Sequence, residues 1–346
     1  MEKLIILIAA FILVSCSLHS IKTNKQVKTP RDGKAINSKL TVVYSSKYLI
    51  KFGGLEKLHP FDIRKYKKIY KKLVSEKLLN QSDVFVPEII SEDDILRVQS
   101  RSFLQSLKKS RDVAVYLEAY FMRFFPSFVL RKSIINPFKY ATGGTLLSSR
   151  LALKYGVSIN ISGGYHHAMP DRGEGFCLFA DIPIAIKKLQ AENKINRALI
   201  IDLDIHQGNG TAVCLQDDET TFTFSMHQGN IYPIPKEKSD LDIELESGMN
   251  DAEYFKILQE NLPELIKVSN PDIVYIVGGC DTLKGDPLAS LNMTEQGIVQ
   301  RDWLVIEECL RQNIPVVMTL AGGYSKNAWH VQYSSIKNII EQIKNI

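Results

Sequence analysis

The chain is poor in cysteine, and its cysteines follow no pattern. There are five in 346 residues, with no CxxC pair, so a structural zinc knuckle is not expected. Cys177, Cys214, Cys280 and Cys309 stand among apolar residues, where cysteine usually behaves as a small buried side chain. Cys280 should point away from the face that its neighbour Asp281 uses, because successive side chains alternate along a strand. A disulfide stays open as an alternative in an oxidising compartment.

The sequence also lacks internal repeats, low-complexity tracts and a dense basic stripe. Its net charge of +5 is modest, which argues against a nucleic-acid-binding protein. The densest basic run, residues 64–72, is expected to be the solvated face of a helix that begins near Pro60. A membrane-surface or anionic-partner role for this run is less favoured. Hydrophobic residues make up 45% of the chain, which is enough for a large core in one α/β domain.

The N-terminal apolar run, residues 4–14, is too short to span a bilayer and has the length of a signal-peptide core. The sequence Leu-Val-Ser-Cys that ends at Cys16 resembles a bacterial lipobox, in which signal cleavage leaves a lipidated cysteine. We therefore predict a signal peptide over residues 1–15, a lipid on Cys16, a flexible tether over 17–39 and a folded domain over 40–346. The protein would be exported and anchored by lipid in a bacterial cell envelope, in the periplasm or at the outer-membrane face. An ordinary cleaved signal, or an uncleaved apolar start with a chance cysteine, is the alternative.

Apolar strands alternate with amphipathic helices along the rest of the chain. This pattern predicts an α/β fold with a mostly parallel central sheet and helices on both faces. Strands are expected near 40–44, 157–162, 197–204, 219–226, 272–278 and 314–320, and helices near 60–80, 91–109, 251–268, 294–312 and 327–343. Residues 110–140 are irregular and rich in aromatic residues, which we expect in the core or as a wall around the site, with the core favoured for most of them: Tyr116, Tyr120, Phe121, Phe124, Phe125 and Phe128.

The stretch Asp-Leu-Asp-Ile-His at 202–206 is the most informative in the chain. Side chains alternate along a strand, so Asp202, Asp204 and His206 point to one side. Three such groups are costly to bury unless something satisfies them, and a divalent cation would do so. A solvated strand end is the alternative for this stretch alone.

Three further predicted strands end in glycine-containing turns that carry reactive side chains. His166 and His167 follow one Gly-Gly turn, Asp281 follows a second, and Tyr324 follows a third. In open parallel sheets, sites lie outside the carboxyl ends of the strands, where all of these side chains would meet. The sequence therefore predicts one metal-containing site at this edge of the sheet.

These residues stand in motifs that resemble the histone deacetylase superfamily, and its class IV branch most closely. The similar stretches are KFGGLEKLHPFD (51–62), NPFKYATGGT (136–145), GGYHHAMPDRGEGFC (163–177), IDLDIHQGNGTA (201–212), GGCDTLKGDPLASLNMTEQGI (278–298) and AGGYSKN (321–327). The resemblance covers roughly residues 40–346. It implies a single arginase/deacetylase-like catalytic domain and a metal-dependent hydrolysis that removes acyl groups from lysine side chains or from small amines such as polyamines.

The resemblance also implies a role for each site residue. Asp204, His206 and Asp281 would hold the metal, which is Zn²⁺, or Fe²⁺ where supply favours it. His167 would be the general base, and His166 would give electrostatic help or donate a proton to the leaving amine. Tyr324 would donate a hydrogen bond to the developing oxyanion. The polar residues that support these groups would be Asp202, Asn209 and Ser225. The residues that line the substrate channel would be Gly175, Phe176 and Tyr232.

Two of these supporting residues carry a specific expectation. Asp202 would orient His166 and, with Ser225, help to form a site for a monovalent cation such as K⁺. Asn209 stands where many family members have an aspartate, so it can orient His167 but stabilises the charged imidazole less strongly. His59 is expected near the channel mouth or in the core.

Two other functions stay open on the sequence alone. An arginase-type two-metal ureohydrolase would need further carboxylates after Asp281, and the following Thr282 and Leu283 do not supply them. A catalytically weak or silent binding protein on the same fold, tethered to a membrane, is the alternative from a different class. The expected partner is a small-molecule or peptide acyl-amine substrate, with an acyl chain that could be longer than acetyl. No nucleic-acid partner is expected, and the oligomeric state stays open.

Overall fold

The structure is a computed structural model that describes residues 39–345. The predicted signal peptide, the lipidation site at Cys16 and nearly all of the predicted tether lie outside the described residues. Within residues 39–345, no helix combines the length and the apolar character needed to cross a membrane. No disulfide links the four cysteines of this part of the chain.

Eight parallel strands form one sheet, so the predicted α/β fold with its parallel sheet is confirmed. The strands are β1 Lys39–Val43, β2 Val84–Phe85, β3 Gly156–Asn160, β4 Ala198–Asp202, β5 Thr221–Gln228, β6 Leu241–Leu245, β7 Ile273–Val277 and β8 Val316–Thr319. Their order across the sheet is β2-β1-β3-β8-β7-β4-β5-β6. The two edge strands, β2 and β6, were not predicted, because β2 has only two residues and β6 contains two acidic ones.

The helices of the described residues connect these strands. They are α1 Lys65–Ser75, α2 Glu92–Ile95, α3 Arg101–Ser106, α4 Ser110–Tyr116, α5 Ser127–Leu130, α6 Asn136–Tyr155, α7 Asp181–Ala191, α8 Asn209–Leu215, α9 Asp251–Ser269, α10 Glu295–Arg311 and α11 Ala328–Lys344. The three predicted C-terminal helices agree with α9, α10 and α11. The single helix predicted over 91–109 is wrong. Two short helices replace it, because Ser91 and Ser100 each cap a new helix by accepting a backbone N–H.

Residues along the central strands alternate between two hydrophobic cores, one on each face of the sheet. In β4, Leu199 and Ile201 pack into one core, and Ala198 and Ile200 pack into the other. Helices α1, α9, α10 and α11 supply the first core, and α6 and α7 supply much of the second. Burial on both faces explains why these strands are continuous apolar runs rather than alternating ones.

The aromatic segment 110–140 differs from the prediction in two ways. It contains short helical turns and the beginning of α6, a helix that was not predicted. Three of the six aromatic residues expected mostly in the core are exposed, namely Tyr120 at 60%, Phe124 at 76% and Phe128 at 72%. Phe121 and Phe125 pack inward on Phe52, with ring centroids 6.1 and 4.6 Å away. The outward rings recur every four residues, and so do the two inward rings, one position later. A prediction based on composition cannot separate these two stripes.

Candidate metal and catalytic site

Four neighbouring strands, β3, β8, β7 and β4, end at one edge of the sheet, and the loops after them form the site. Asp204, His206 and Asp281 are buried there, and one ligand atom from each lies within 4.8 Å of the others. His206 Nδ1 is 3.2 Å from Asp204 Oδ1 and 3.2 Å from Asp281 Oδ2. The structure thus brings together the three side chains that the sequence predicted as metal ligands.

Glycines make room for the two carboxylates. A Cβ atom on Gly322 would lie 2.2 Å from Asp281 Oδ2 and 2.5 Å from Asp204 Oδ2, and one on Gly279 would lie 2.2 Å from Asp204 Oδ2. The Gly322 backbone N–H donates to Asp204 Oδ2 at 2.8 Å. Any larger residue at these positions would displace the carboxylates, so the Gly-Gly turns serve the geometry of the site.

The charges of this trio fit a divalent cation. Within residues 39–345, neither Asp204 nor Asp281 forms an ion pair with a lysine or arginine. Both pair with His206, and Asp204 also lies 3.7 Å from His166 Nε2. Burial and the nearby Asp204 raise the pKa of Asp281 to about 7. Burial alone would lower the pKa of His206, but its hydrogen bonds to both carboxylates outweigh burial and raise it to about 10. Two carboxylates and one imidazole are ligand types of Zn²⁺ and Fe²⁺, so a bound cation would replace protons that the site otherwise retains.

The paired histidines lie beside this trio, each with its own partner. His166 Nδ1 is 2.7 Å from Asp202 Oδ2, and the rings of His166 and His167 are 4.0 Å apart. Burial opposes protonation of His166, but the charges of Asp202 and Asp204 outweigh it and raise the pKa to about 9. Asp202 is paired in register with Ser225, whose hydroxyl lies 2.9 Å from His227 Nδ1.

His167 has the opposite electrostatic environment. Its Nδ1 lies 2.7 Å from Asn209 Oδ1, an uncharged partner. Burial and the charges of His166 and His206 lower its pKa well below the usual value. The surroundings therefore favour the charged form of His166 and the neutral form of His167, which can accept a proton.

Tyr324 follows β8 and faces the trio from the other side. Its ring centroid is 6.0 Å from that of His206. Burial and the charges of Asp204 and Asp281 raise the pKa of its hydroxyl well above the usual value, so the phenol stays a hydrogen-bond donor. Asp286 fixes the loop, because its Oδ2 accepts the backbone N–H groups of Tyr324 at 2.8 Å and Ser325 at 3.0 Å.

A cavity is lined by His166, His167 and Tyr324 and by two of the three predicted channel residues, Gly175 and Phe176, whereas Tyr232 is not part of this lining. Gly175 and Phe176 form a tight turn in which both residues have positive φ, 52° and 67°. A Cβ on Gly175 would lie 2.5 Å from the His167 ring, so only glycine fits there. The Phe176 ring contacts that of His59, with centroids 4.5 Å apart, which places His59 at the cavity wall. The apolar part of the lining includes Ile50, Leu55, Leu117, Phe121, Met122 and Phe138.

Tyr232 lies at the side of the site rather than deep in the cavity. Its ring centroid is 5.0 Å from that of His167, and the ring is partly exposed. Cys280 points away from the trio, with Sγ 3.5 Å from the Ala328 carbonyl oxygen, as its alternation with Asp281 predicted.

Comparison with known proteins agrees with this geometry. The family model described as "Histone deacetylase domain" matches residues 59–340. The chain belongs to the histone deacetylase family. Histone deacetylase 2 of Arabidopsis thaliana is 40% identical over 308 residues, which cover 88% of this chain and 80% of that protein. The acetoin utilization protein AcuC of Staphylococcus aureus is 27% identical over 319 residues, or 85% of this chain and 79% of that protein.

A solved structure shows the same fold. The crystal structure of the HDA15 HD domain matches with a TM-score of 0.71 at 19% identity, and the match covers 89% of each chain. The present chain is therefore a histone deacetylase family domain on the α/β fold of that family, and it belongs among hydrolases of the deacetylase type.

Two positively charged side chains of this deacetylase domain are buried, which the sequence analysis did not predict. It placed Lys65 on the surface and gave Arg301 no role. Lys65 was expected on a solvated helix face, but it is buried and its Nζ donates to the carbonyl oxygens of Ala321 at 2.8 Å and Gly322 at 3.1 Å. Arg301 is fully buried and donates to the Leu203 and Gly279 carbonyl oxygens at 3.1 and 2.8 Å. Arg301 thus holds the loops that carry the Asp204, His206 and Asp281 trio, and Lys65 holds the loop that carries Tyr324.

The sequence contains a signal of the same kind for both residues. Arg301 lies three residues after Ile298 and four before Val305, which places it on the apolar face of α10. A charged residue on an apolar helix face indicates a buried polar contact. Lys65 lies four residues before Ile69 and eight before Leu73, on the buried face of α1, but it stands in a run of basic residues that we expected to be solvated.

Proposed function

We propose that this chain is a metal-dependent amidohydrolase that removes acyl groups from N-acyl-lysine side chains or from small amines such as polyamines. The observation that carries the proposal is the arrangement of the Asp204, His206 and Asp281 trio against His167 and Tyr324, at the end of an apolar cavity. Three ligands leave positions for water and substrate, which is typical of a catalytic rather than a structural metal site.

Asp204, His206 and Asp281 would hold the metal, which we propose to be Zn²⁺ or Fe²⁺. A bound divalent cation supplies Lewis acidity, which polarises an amide carbonyl and makes a water molecule more acidic. Side chains of the protein would carry out the proton transfers and stabilise the oxyanion.

His167 would act as the general base. Its Nδ1 faces Asn209, so its Nε2 is free to take a proton from the attacking water. His166, held by Asp202, would stabilise developing negative charge or donate a proton to the leaving amine. Tyr324 would donate its phenolic proton as a hydrogen bond to the oxyanion that forms from the carbonyl oxygen.

The lining of the cavity indicates which class of substrate the site could hold. Its apolar walls suit an extended acyl-amine, with Gly175 and Phe176 on one wall and Tyr232 beside His167. The motifs resemble the class IV branch, and we propose a class IV-like enzyme that could take acyl chains longer than acetyl. Asp202 and Ser225 would contribute to a site for a monovalent cation such as K⁺.

We further propose that the domain is anchored by lipid on Cys16 and exported to a bacterial cell envelope. The support is the apolar run at residues 4–14 followed by Leu-Val-Ser-Cys. Membrane fractionation of Cys16→Ala tests this directly. The variant should leave the membrane fraction and lose lipid labelling, and an unchanged, processed and labelled variant would exclude the anchor.

Hydrolysis of a substrate panel tests the enzymatic proposal. The full chain, loaded with Zn²⁺ or with Fe²⁺, is offered acyl-lysine peptides and acyl-polyamines of increasing acyl length. Release of the free amine is expected for at least one class, and the preferred chain length defines the substrate. A chain that binds metal but hydrolyses nothing on the panel supports a binding protein instead.

A further inference from the structure

We propose that Glu174 is a positioning residue that fixes the direction of the Asn209 amide and, through it, the tautomer of His167. The inference rests on the proposed function in one respect, which is that His167 acts as the general base. Nothing in the sequence analysis assigned a role to Glu174.

Glu174 is held on both sides. It begins the tight turn that carries Gly175 and Phe176, and its backbone exchanges two hydrogen bonds with Cys177, at 3.0 and 2.8 Å. Arg172 donates from Nε and Nη2 to Glu174 Oε2, at 3.0 and 2.8 Å. These contacts leave the other carboxylate oxygen, Oε1, directed toward the catalytic residues.

Glu174 Oε1 accepts two hydrogen bonds from residues that contact His167. Asn209 Nδ2 donates at 3.0 Å, and the Tyr232 hydroxyl donates at 2.9 Å. The Asn209 oxygen lies on the opposite side of the amide, 2.7 Å from His167 Nδ1. A continuous line of hydrogen bonds therefore runs from Glu174 through Asn209 to His167.

The direction of this line follows from the donors and acceptors. A carboxylate accepts hydrogen bonds and cannot donate them, so the NH₂ group of Asn209 must face Glu174. The Asn209 oxygen then faces His167 and can only accept, which puts the imidazole proton on Nδ1. The lone pair is left on Nε2, the nitrogen that a general base needs.

Asparagine alone would not impose this choice. The oxygen and nitrogen ends of an amide have nearly the same shape, and a flipped Asn209 would present its NH₂ group to His167. A flipped amide would favour the other tautomer, in which Nδ1 carries the lone pair and Nε2 carries the proton. An aspartate at position 209 would need no such control, since both of its oxygens accept. Glu174 thus fixes the amide orientation in which the Asn209 oxygen, and not its NH₂ group, faces His167.

Histidine-selective ¹⁵N NMR of the full chain tests the tautomer without any need for turnover. The signals of His167 are assigned by their loss in His167→Gln. The wild type should show a protonated Nδ1 and an unprotonated Nε2, and Glu174→Gln should shift His167 toward the other tautomer. The control is Tyr232→Phe, which removes a hydrogen bond to Glu174 but leaves the Asn209 contact. An unchanged tautomer in Glu174→Gln overturns the inference.

Exchanging the two side-chain types gives a second test through activity. Glu174→Gln alone should lower kcat by about 10-fold with little change in KM, because the base is wrongly protonated in part of the molecules. In the double variant Glu174→Gln with Asn209→Asp, the glutamine donates to the new aspartate, and kcat should recover to within about 3-fold of wild type. A double variant as slow as the single one contradicts the inference. If NMR shows the tautomer shift and no substrate is ever turned over, the positioning role stands and the proposed function fails.

Discussion

At the scale of single residues, the chemistry depends on side chains whose ionisation their surroundings control. His166 and His167 are adjacent in sequence, yet a carboxylate faces one and an amide faces the other. Tyr324 is kept protonated by burial and by the two carboxylates of the trio. The sequence identified these residues because each follows a strand at a glycine-containing turn. It did not identify Glu174 or Asp286, since their roles depend on contacts between segments far apart in the chain.

Replacement of Tyr324 by phenylalanine should remove the proposed oxyanion donor and leave the rest of the site intact. We expect kcat to fall by about 10²- to 10³-fold, the usual cost of one oxyanion donor, with unchanged metal content. Tyr232→Phe is the matched control, since its hydroxyl is bonded to Glu174 and not directed at the trio, and it should cost less than about 10-fold. Steady-state kinetics with the preferred substrate distinguish the two, and equal losses would contradict the role of Tyr324.

Metal affinity should weaken as the pH falls. The raised pKa values, about 10 for His206 and about 7 for Asp281, mean that protons occupy ligand atoms below these values and must leave when a cation binds. The apparent affinity for Zn²⁺ should therefore increase between about pH 6 and 8, with about one or more protons released per ion at pH 7. Calorimetric titration in two buffers of different ionisation enthalpy measures the release, and an affinity independent of pH contradicts this account of the trio.

At the scale of elements, buried cations join the loops after the strands to the helices that cover the sheet. Arg301 extends from α10 to the loops after β4 and β7, and Lys65 extends from α1 to the loop after β8. Strand and helix types could be predicted from apolar runs and periodicity, which is why β4, β7, α9 and α10 were found. The edge strand β6 and the broken helix at 91–109 could not, because short polar elements are set by caps and neighbours rather than by a repeating pattern.

Loss of Arg301 should destabilise the whole domain. Arg301→Met would remove the ion-pair partner of the buried Asp302 carboxylate, which keeps only its hydrogen bond from Ser335, and the Arg301 donors to two loop carbonyls, at a cost of about 3–5 kcal/mol. Arg311→Met, in the same helix but with a side chain that is 68% exposed, is the matched control and should change stability by less than about 0.5 kcal/mol. Urea unfolding curves give both values. A small effect at Arg301 would show that the loops do not depend on this contact.

At the scale of the whole molecule, the sheet brings together residues that are far apart in sequence. His166, Asp204, Asp281 and Tyr324 belong to four loops, and they meet because β3, β4, β7 and β8 are neighbours in a parallel sheet. The fold class and the edge that carries the site could be predicted, because parallel strands place their carboxyl ends together. The apolar cavity and the exposed aromatic residues of 120–128 could not, because they depend on how irregular segments pack.

A metal titration of the metal-depleted full chain, with amide hydrolysis as the readout, distinguishes a single-metal hydrolase from a metal-independent one. Activity should appear on addition of Zn²⁺ or Fe²⁺ and stop increasing near one ion per chain. His167→Ala should bind the same amount of metal and lose about 10²-fold or more in kcat. Hydrolysis that is independent of metal, or that survives in His167→Ala at the wild-type rate, would contradict a single-metal site in which His167 is the base.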